Sequence, residues 1–390
     1  MSWIKITAEV EMEKLLTEVC KIQYGFPFDS SKFNNSEGMP LIRIRDISSG
    51  ETETFTTEEC REEYVVKQGD ILIGMDGEFN VAKWSGIDAL LNQRVCRLLP
   101  FDIDANYLYY FMPKILKEIE AKTPFVTVKH LSAKQLNSIV VPIPSLERQQ
   151  FVAKVLCRID EITEQRKQQL QKLDKLVKSR FVEMFGDLSS PECKWSAEKL
   201  VDVCVNSADI KCGPFGTQLS KDEYVSEGIA VWEIPQINSN FITKPTHFLT
   251  KTKAEQLETY SIKPGDIAMS RKGNVGKCAV FPEAFEGGII HSDVLRIRVD
   301  VNQVLPKFLM YQLHYSSAVK HQIELVSAGA VMAGINVTKL KQIFVYVPPL
   351  KLQDKFVDFV GQIDKSKLSV QKSLEKLETL KKALLQKYFG

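Results

Sequence analysis

The sequence predicts an α+β protein in which two globular domains are separated by two long helices that pair as an antiparallel coiled coil, with an internal pseudo-two-fold repeat. Three observations predict this. The 390-residue chain matches itself when shifted by 204 residues. Each copy ends in about forty residues with heptad periodicity. The segment before each helical run mixes short β-branched strands with short amphipathic helices, without the regular alternation of a doubly wound sheet.

The repeat comes first, because self-similarity decides how every other element is read. At the offset of 204, Pro144 and Leu146 match Pro348 and Leu350, Gln149 matches Gln353, and Ile159-Asp160 matches Ile363-Asp364. Leu170 and Leu173 match Leu374 and Leu377, and Phe185-Gly186 matches Phe389-Gly390. Upstream the match continues with a smaller shift. Lys67-Gln-Gly-Asp-Ile resembles Lys263-Pro-Gly-Asp-Ile, Gly25-Phe-Pro-Phe resembles Gly213-Pro-Phe-Gly, and Arg45-Asp46-Ile47 resembles Pro235-Gln236-Ile237. The helical parts are near copies, while the globular parts have diverged.

Along the chain this gives a first globular domain over 1–145, a long helix over 146–186, a second globular domain over 187–349 and a second long helix over 350–390. Strands are expected at Pro40–Arg45, Asp70–Gly74, Arg94–Leu99 and Val294–Val299, with turns at Gly69-Asp70 and Gly265-Asp266. Amphipathic helices are expected from Tyr107 and from Pro306. Prolines at 142, 144, 348 and 349 fix extended hinges before each long helix. In the first long helix Leu156, Ile159, Thr163, Arg166, Leu170, Leu173, Val177, Arg180 and Met184 form a heptad seam. In the second, the seam is Phe356, Val360, Ile363, Lys367, Val370, Leu374, Leu377, Lys381, Leu384 and Tyr388. So narrow a stripe needs a partner, and the other copy is the economical one. At about 1.5 Å per residue each rod is about 60 Å long. Arg166, Arg180, Lys367 and Lys381 either specify register or reflect drift of an imperfect heptad.

With 44% hydrophobic and 26% charged residues the composition is that of a folded globular protein. The eight cysteines (20, 60, 96, 157, 193, 204, 212 and 278) contain no CxxC pair and read as small, mostly buried hydrophobes. The opening residues have no signal-peptide core, and no apolar run approaches the roughly 18 residues needed to span a bilayer, so a cytoplasmic protein without membrane partners is expected. The net charge of +2 hides a division. Residues 146–185 carry nine Lys/Arg against six Asp/Glu, and 350–389 nine against five, so the helices hold +7 and the remainder −5. Any nucleic-acid binding by the globular parts must therefore come from local patches.

A duplicated domain on a rigid spacer suits a bipartite target on a helical polymer. B-DNA repeats about every 34 to 36 Å, so a rod of this length could hold two modules on successive turns. Divergent domains would then read different half-sites of double-stranded DNA.

At this point the motifs converge on a family. Leu91-Asn-Gln-Arg-Val-Cys-Arg-Leu, His130-Leu-Ser and Pro142-Ile-Pro-Ser-Leu-Glu-Arg-Gln-Gln precede a long helix ending in Phe-Gly. The second copy carries Gly213-Pro-Phe-Gly, Ser270-Arg-Lys-Gly-Asn-Val-Gly, Ser292-Asp-Val-Leu-Arg-Ile-Arg, Ile335-Asn-Val-Thr and Val347-Pro-Pro-Leu-Lys-Leu-Gln. In this order and twice over, the pattern resembles the specificity subunit of type I restriction-modification systems. The resemblance implies a non-catalytic subunit with two target-recognition domains. It also implies two methyltransferase partner subunits that methylate adenine N6 with S-adenosylmethionine, possible joining of restriction-translocase subunits, and no cofactor in this chain. The second hinge, Tyr346-Val-Pro-Pro, and Lys351-Leu-Gln in place of Glu147-Arg-Gln depart modestly from the first copy.

Enzyme readings fare worse. The chain has no GxGxxG, and its only Pro-Pro lies between Val347 and Leu350, away from any Asp/Asn-Pro-Pro-aromatic motif of an adenine methyltransferase. Asp102 with Glu120 and Lys122 is a chance match to a nuclease pattern, and the histidines at 130, 247, 291, 314 and 321 lack metal-ligand spacing. Two alternatives remain: a coiled-coil scaffold with protein-binding domains, and the DNA-reading part of another restriction or methylation system.

Arg reads guanine, Asn and Gln read adenine, and Lys holds phosphate. The DNA-contacting candidates in the first domain are Arg43 and Arg45 on one face of a strand, Asn92, Gln93 and Arg94 at a strand entrance, and Lys129 and His130. In the second they are Lys211, Gln218, Ser270, Arg271, Lys272, Asn274, Lys277, His291, Ser292, Asp293 and Asn336. Arg97, Arg296 and Arg298, inside strands, read as structural.

Overall fold

The computed structural model describes residues 12–123, 128–188, 190, 193–327 and 334–390. They fall into two compact units, Met1–Gln168 with Gln371–Gly390, and Gln169–Val370. Each unit holds one globular domain and half of each long helix, so the compact bodies do not divide at the helix ends.

The strands of the first unit are β1 (Met12–Leu15), β2 (Cys20–Tyr24), β3 (Phe33–Asn34), β4 (Met39–Ile42), β5 (Phe55–Thr56), β6 (Val65–Val66), β7 (Ile71–Gly74), β8 (Val81–Lys83), β9 (Ala89–Leu91), β10 (Val95–Pro100) and β11 (Val140–Ile143). They form an antiparallel sheet β2-β10-β7-β8, a second sheet β3-β5-β4-β9-β6, and the pair β1-β11. β4 and β9 run parallel; the other pairs are antiparallel. The turn into β7 follows from chemistry: Gly69 takes φ +94°, a region open mainly to glycine. The Asp70 carboxylate accepts the Lys67 N–H at 2.9 Å. On this framework lies the helix Ala105–Lys122, capped by Asp104, whose carboxylate accepts the Tyr107 N–H. Its Tyr107, Leu108, Phe111, Met112 and Leu116 are buried against the first sheet.

The second unit repeats this plan with β12 (Ser196–Lys199), β13 (Ile210–Cys212), β14 (Ile229–Trp232), β15 (His247–Leu249), β16 (Ser261–Ile262), β17 (Ile267–Ser270), β18 (Cys278–Val280), β19 (Gly288–Ile290), β20 (Val294–Ile297) and β21 (Phe344–Val347). The sheet β13-β20-β17-β18 reproduces β2-β10-β7-β8, the sheet β15-β14-β19-β16 reproduces β5-β4-β9-β6 with its one parallel pair, and β12-β21 reproduces β1-β11. The duplication read from sequence is therefore a duplication of topology, one that extends through the divergent globular parts.

The long helices run Leu146–Phe185 and Leu350–Phe389. In the first unit Val152, Ala153 and Leu156 near the start of one pack in a common core with Leu384, Leu385, Tyr388 and Phe389 at the end of the other. In the second unit Val177, Phe181 and Phe185 meet Phe356 and Val360, with the Phe181 and Phe356 rings 5.5 Å apart. Both halves are thus antiparallel. No seam position of either helix is exposed. Two of the polar seam residues are ion-paired in register: Lys381 with Asp160 at 2.5 Å in the first unit, and Lys367 with Asp174 at 2.6 Å in the second. Arg180 pairs with Glu183 of its own helix at 2.9 Å and lies over Phe359 at 5.7 Å.

The repeated glutamines anchor each long helix to its domain. Buried Gln149 accepts the Asp104 N–H at 2.9 Å and donates to the Pro144 carbonyl at 2.9 Å. Buried Gln353 accepts the Leu305 N–H at 2.8 Å and donates to the carbonyls of Pro348 and Gln303 at 2.7 and 3.1 Å. Each therefore ties its proline hinge to the N-terminus of the domain's own helix, which is why it survives in both copies.

Two expectations are corrected by the backbone. The strand expected at Pro40–Arg45 ends at Ile42, and residues Ile44–Asp46 form a single 3-10 turn with Arg43 as its cap. Arg43 and Arg45 are thus on a turn, not on one face of a strand. The cause is Asp46, whose buried carboxylate accepts the Arg43 N–H at 2.8 Å and curls the chain. Gln236 does the same for Glu233 in the second unit, at 3.0 Å. Of the cysteines, Cys20, Cys96, Cys204 and Cys278 are buried and the other four partly covered.

Candidate nucleic-acid interface

Three backbone hydrogen bonds frame the same place in both units. Gly25 N–H donates to Val95 O at 3.0 Å, and Gly213 N–H to Val294 O at 3.1 Å. Met75 N–H donates to Arg94 O at 3.0 Å, and Arg271 N–H to Asp293 O at 2.8 Å. Leu131 N–H donates to Met75 O at 2.7 Å, and Ile335 N–H to Arg271 O at 3.1 Å. The strand-exit loop after β7 or β17, the strand-entry loop before β10 or β20, and the loop at 130 or 334 are thereby held together. A side chain at Gly25 would place Cβ 2.0 Å from Asn92 O, and one at Gly213 would place it 2.3 Å from His291 O. Only glycine lets these strands approach so closely, which explains why this glycine is shared by both copies.

In the first unit Arg43, Arg45, Asn92, Gln93 and Arg94 line one cleft of about 520 Å³, walled by Phe28 and Phe33. Arg43, Arg45, Gln93 and Arg94 are exposed. Asn92 is buried and accepts the Gln93 N–H at 2.8 Å, so its side chain supports the loop. Arg94 and His130 converge on Asp76, at 3.4 and 2.6 Å. Lys129 pairs with Glu120 at 3.5 Å. The sequence thus pointed to a set of residues that folding does bring together, but it missed Asp76, the carboxylate at their centre. The signal that could have found it is its place two residues beyond β7, where the other copy has Lys272.

In the second unit the Arg271 guanidinium lies over the Phe215 ring at 4.8 Å and its Nε donates to Ile335 O at 3.1 Å. Lys211 lies over Tyr260 at 4.5 Å. Gln218 accepts the Tyr260 hydroxyl at 3.0 Å, which draws Lys211 and Gln218 to one aromatic ring the sequence had not singled out. Lys272 pairs with Asp293 at 2.9 Å, and His291 Nδ1 accepts the Asp293 N–H at 3.2 Å. Ser292 and Lys277 are partly exposed and Asn274 is exposed on the loop between β17 and β18. One candidate is corrected. Ser270 is wholly buried at the end of β17 and has no surface to offer. Asn336 is exposed, and its side-chain oxygen caps the single helical turn Val337–Leu340 by accepting the Lys339 N–H at 3.1 Å.

The strand arginines are structural. Arg97 is buried and donates to Gln23, Asp70 and the carbonyls of Glu63 and Val65. Arg296 donates to Ser261 O at 2.6 Å, and Arg298 grips Asp266 through two bonds of 2.7 Å. That grip raises the Arg298 pKa, whereas burial and the neighbouring Arg298 lower that of Arg296. Behind Lys277, His314 Nε2 accepts the Cys278 N–H at 3.2 Å; burial, helped by Lys277 and Lys320, pushes its pKa down to about 4.

No reacting centre is assembled from the groups weighed above. Asp102 pairs with Lys14, and Glu120 with Lys129, in separate ion pairs. Among the described residues no group of three or more His, Cys, Asp or Glu could hold a metal ion, and no helix is long and apolar enough to cross a membrane. What the two places offer is Arg, Lys, Gln and His side chains on loops tied together by main-chain hydrogen bonds, the equipment of base and phosphate recognition.

Comparison with known proteins agrees. The model of the type I restriction modification DNA specificity domain matches residues 9–173 and 194–380, once per repeat. The specificity subunit of the type I restriction enzyme EcoBI from Escherichia coli is 30% identical over all of this chain and 85% of its own length. That of MjaVIII from Methanocaldococcus jannaschii is 23% identical over 89% of this chain and 84% of its own. Among solved structures, the type I restriction-modification S subunit from M. genitalium shares the fold, with a TM-score of 0.61 at 15% identity over 99% of this chain and 98% of that one. A chain in a structure describing complex assembly and conformational transition of the type I restriction-modification system superposes with a TM-score of 0.56 at 18% identity, over 97% of each chain. Matched once by each of its repeats and aligned from end to end with such relatives, the chain belongs to the family of type I restriction-modification specificity subunits.

Proposed function

We propose that this chain is the non-catalytic DNA-reading subunit of a type I restriction-modification complex, in which each globular domain reads one half of a bipartite site. The paired helices set the unread gap and dock two methyltransferase subunits. Those partners methylate adenine N6 with S-adenosylmethionine bound in their own chains, and restriction-translocase subunits join the assembly where the host encodes them. The observation that carries this reading is the identical backbone frame in both domains with different side chains mounted on it: Arg43, Arg45, Gln93, Arg94 and His130 in one, Lys211, Gln218, Arg271, Lys272 and His291 in the other. One frame with two sets of readers is what recognition of two different half-sites requires. Docking on the helices is supported by apolar side chains the fold leaves uncovered. In the first unit a groove of about 840 Å³ is lined by Phe151, Ala153, Val155 and Leu380 among others, and Phe151 and Leu380 are each 48% exposed. Such a surface favours a protein partner.

The test inserts one heptad into each long helix at matched positions. Seven residues at about 1.5 Å lengthen each rod by roughly 10 Å, or about three base pairs at 3.4 Å each. Long-read methylome mapping of cells carrying this variant with its methyltransferase should show a gap about three base pairs longer between unchanged half-sites. Altered half-sites with the old gap would refute the ruler.

A further inference from the structure

The backbone frame fixes which residues of the two domains are equivalent, and at one pair of positions it reveals an exchange. Asp76 lies two residues beyond β7 and Lys272 two residues beyond β17; Arg94 immediately precedes β10 and Asp293 immediately precedes β20. The hydrogen bonds Met75 N–H to Arg94 O and Arg271 N–H to Asp293 O confirm that the loops correspond. Both domains therefore carry one ion pair across the same two loops, Asp76 with Arg94 and Lys272 with Asp293, with the charges swapped.

Resting on the DNA-reading function above, we propose that this cross-loop pair is a specificity-determining device whose polarity decides which loop delivers a cation to the DNA. In the first domain the strand-entry loop delivers Arg94; in the second the strand-exit loop delivers Lys272. Asp76 and Asp293 are positioning residues. In each pair the acid is the more covered member, at 23% and 27% side-chain exposure, and the cation the more exposed, at 55% and 46%. The acid stands behind and the cation in front. So exposed a pair adds little to stability, and bracing alone gives no reason to exchange its charges. A carboxylate behind a cation narrows its rotamers and repels phosphate, so the cation is directed to base acceptors such as guanine O6 and N7 rather than to the backbone. In both sites an imidazole adjoins the same carboxylate, His130 at 2.6 Å from Asp76 and His291 at 3.8 Å from Asp293.

Two variants of the full chain, each with its methyltransferase subunits, test this. Asp76→Asn should lower discrimination for the first half-site about tenfold, while binding to unrelated duplex DNA is retained or strengthened and its salt dependence steepens by about one unit of slope, as one more unopposed cation demands. Loss of specific and unrelated binding together would mean a structural role and overturn the proposal. Asp76→Lys combined with Arg94→Asp rebuilds the pair in the polarity of the second domain. It should melt like the unaltered chain, yet in methylome mapping it should change or lose the first half-site and keep the second. Return of the original first half-site along with the stability would reduce the pair to a brace. If the unaltered chain directs no bipartite methylation, it is the DNA-reading function that fails, and the two failures remain distinct.

Discussion

The buried glutamines at the helix starts carry a prediction with a calculable size. Gln353→Leu keeps the volume and removes three hydrogen bonds, leaving the Leu305 N–H and the carbonyls of Pro348 and Gln303 without their partner. A buried polar group stripped of its partner costs roughly 1–3 kcal/mol; for groups only partly covered, as most of these are, the cost is about 1–2 kcal/mol each, so the second unit should lose about 3–6 kcal/mol. Gln149→Leu strands only the Asp104 N–H and the Pro144 carbonyl, and the first unit should lose about 2–4 kcal/mol by the same reasoning. For a body of this size each kcal/mol moves the midpoint by about 2–4 °C, so the Gln353→Leu transition should fall by about 6–24 °C. Differential scanning calorimetry measures it, and amide exchange across Pro306–Tyr315 localises it, because that helix loses the anchor at its N-terminus. A Gln353→Leu chain within about 1 kcal/mol of the parent, or a larger loss from Gln149→Leu, would show that the hinges are held by something other than these amides.

Two further outcomes follow from the same structure. Lys381→Glu sets a second carboxylate beside Asp160, which also accepts the Tyr110 hydroxyl at 2.8 Å. Since both partners are about one-third exposed, the loss should be about 1 kcal/mol, and a urea double-mutant cycle with Asp160→Lys should recover most of it. His314 is held neutral by burial, with a folded pKa of about 4 against 6.5 when free. A depressed histidine binds fewer protons in the folded chain, so stability is complete above pH 6.5 and falls as pH drops toward 4, by about 3 kcal/mol at most. His314→Gln should flatten that slope in urea titrations of the second unit; an unchanged slope would assign the acid lability to other groups.

The features legible in the sequence are those written in periodicity and punctuation. The heptad seams run through both long helices because 3.5-residue spacing has only one geometric meaning, and the Gly-Asp turns at 69–70 and 265–266 mark tight corners for the same reason. What escaped notice depends on side-chain chemistry or tertiary cover. Alternation across Arg43 and Arg45 looks like a strand until the Asp46 carboxylate accepts the Arg43 N–H and curls the chain. Ser270 looks like a loop reader beside Arg271 and Lys272. However, β17 is covered on both faces, Ile267 and Met269 entering one core and Ala268 another, and its last residue is buried with them. The exchanged ion pair was hidden by loop lengths: Asp76 and Lys272 correspond at an offset of 196, Arg94 and Asp293 at 199, and the rods at 204, so no single shift aligns them.

Those unequal offsets also explain how the two domains could diverge without losing the fold. The bonds that define the frame join main-chain atoms, from Gly25 to Val95, Met75 to Arg94 and Leu131 to Met75, and again in the second copy. Almost any side chain satisfies a main-chain bond, provided glycine stays at 25 and 213, where a Cβ has no room. The positions between these bonds are therefore free to change charge. Gln149 and Gln353, by contrast, use their side chains to hold the frame to the helices, and there the two copies have kept the same residue.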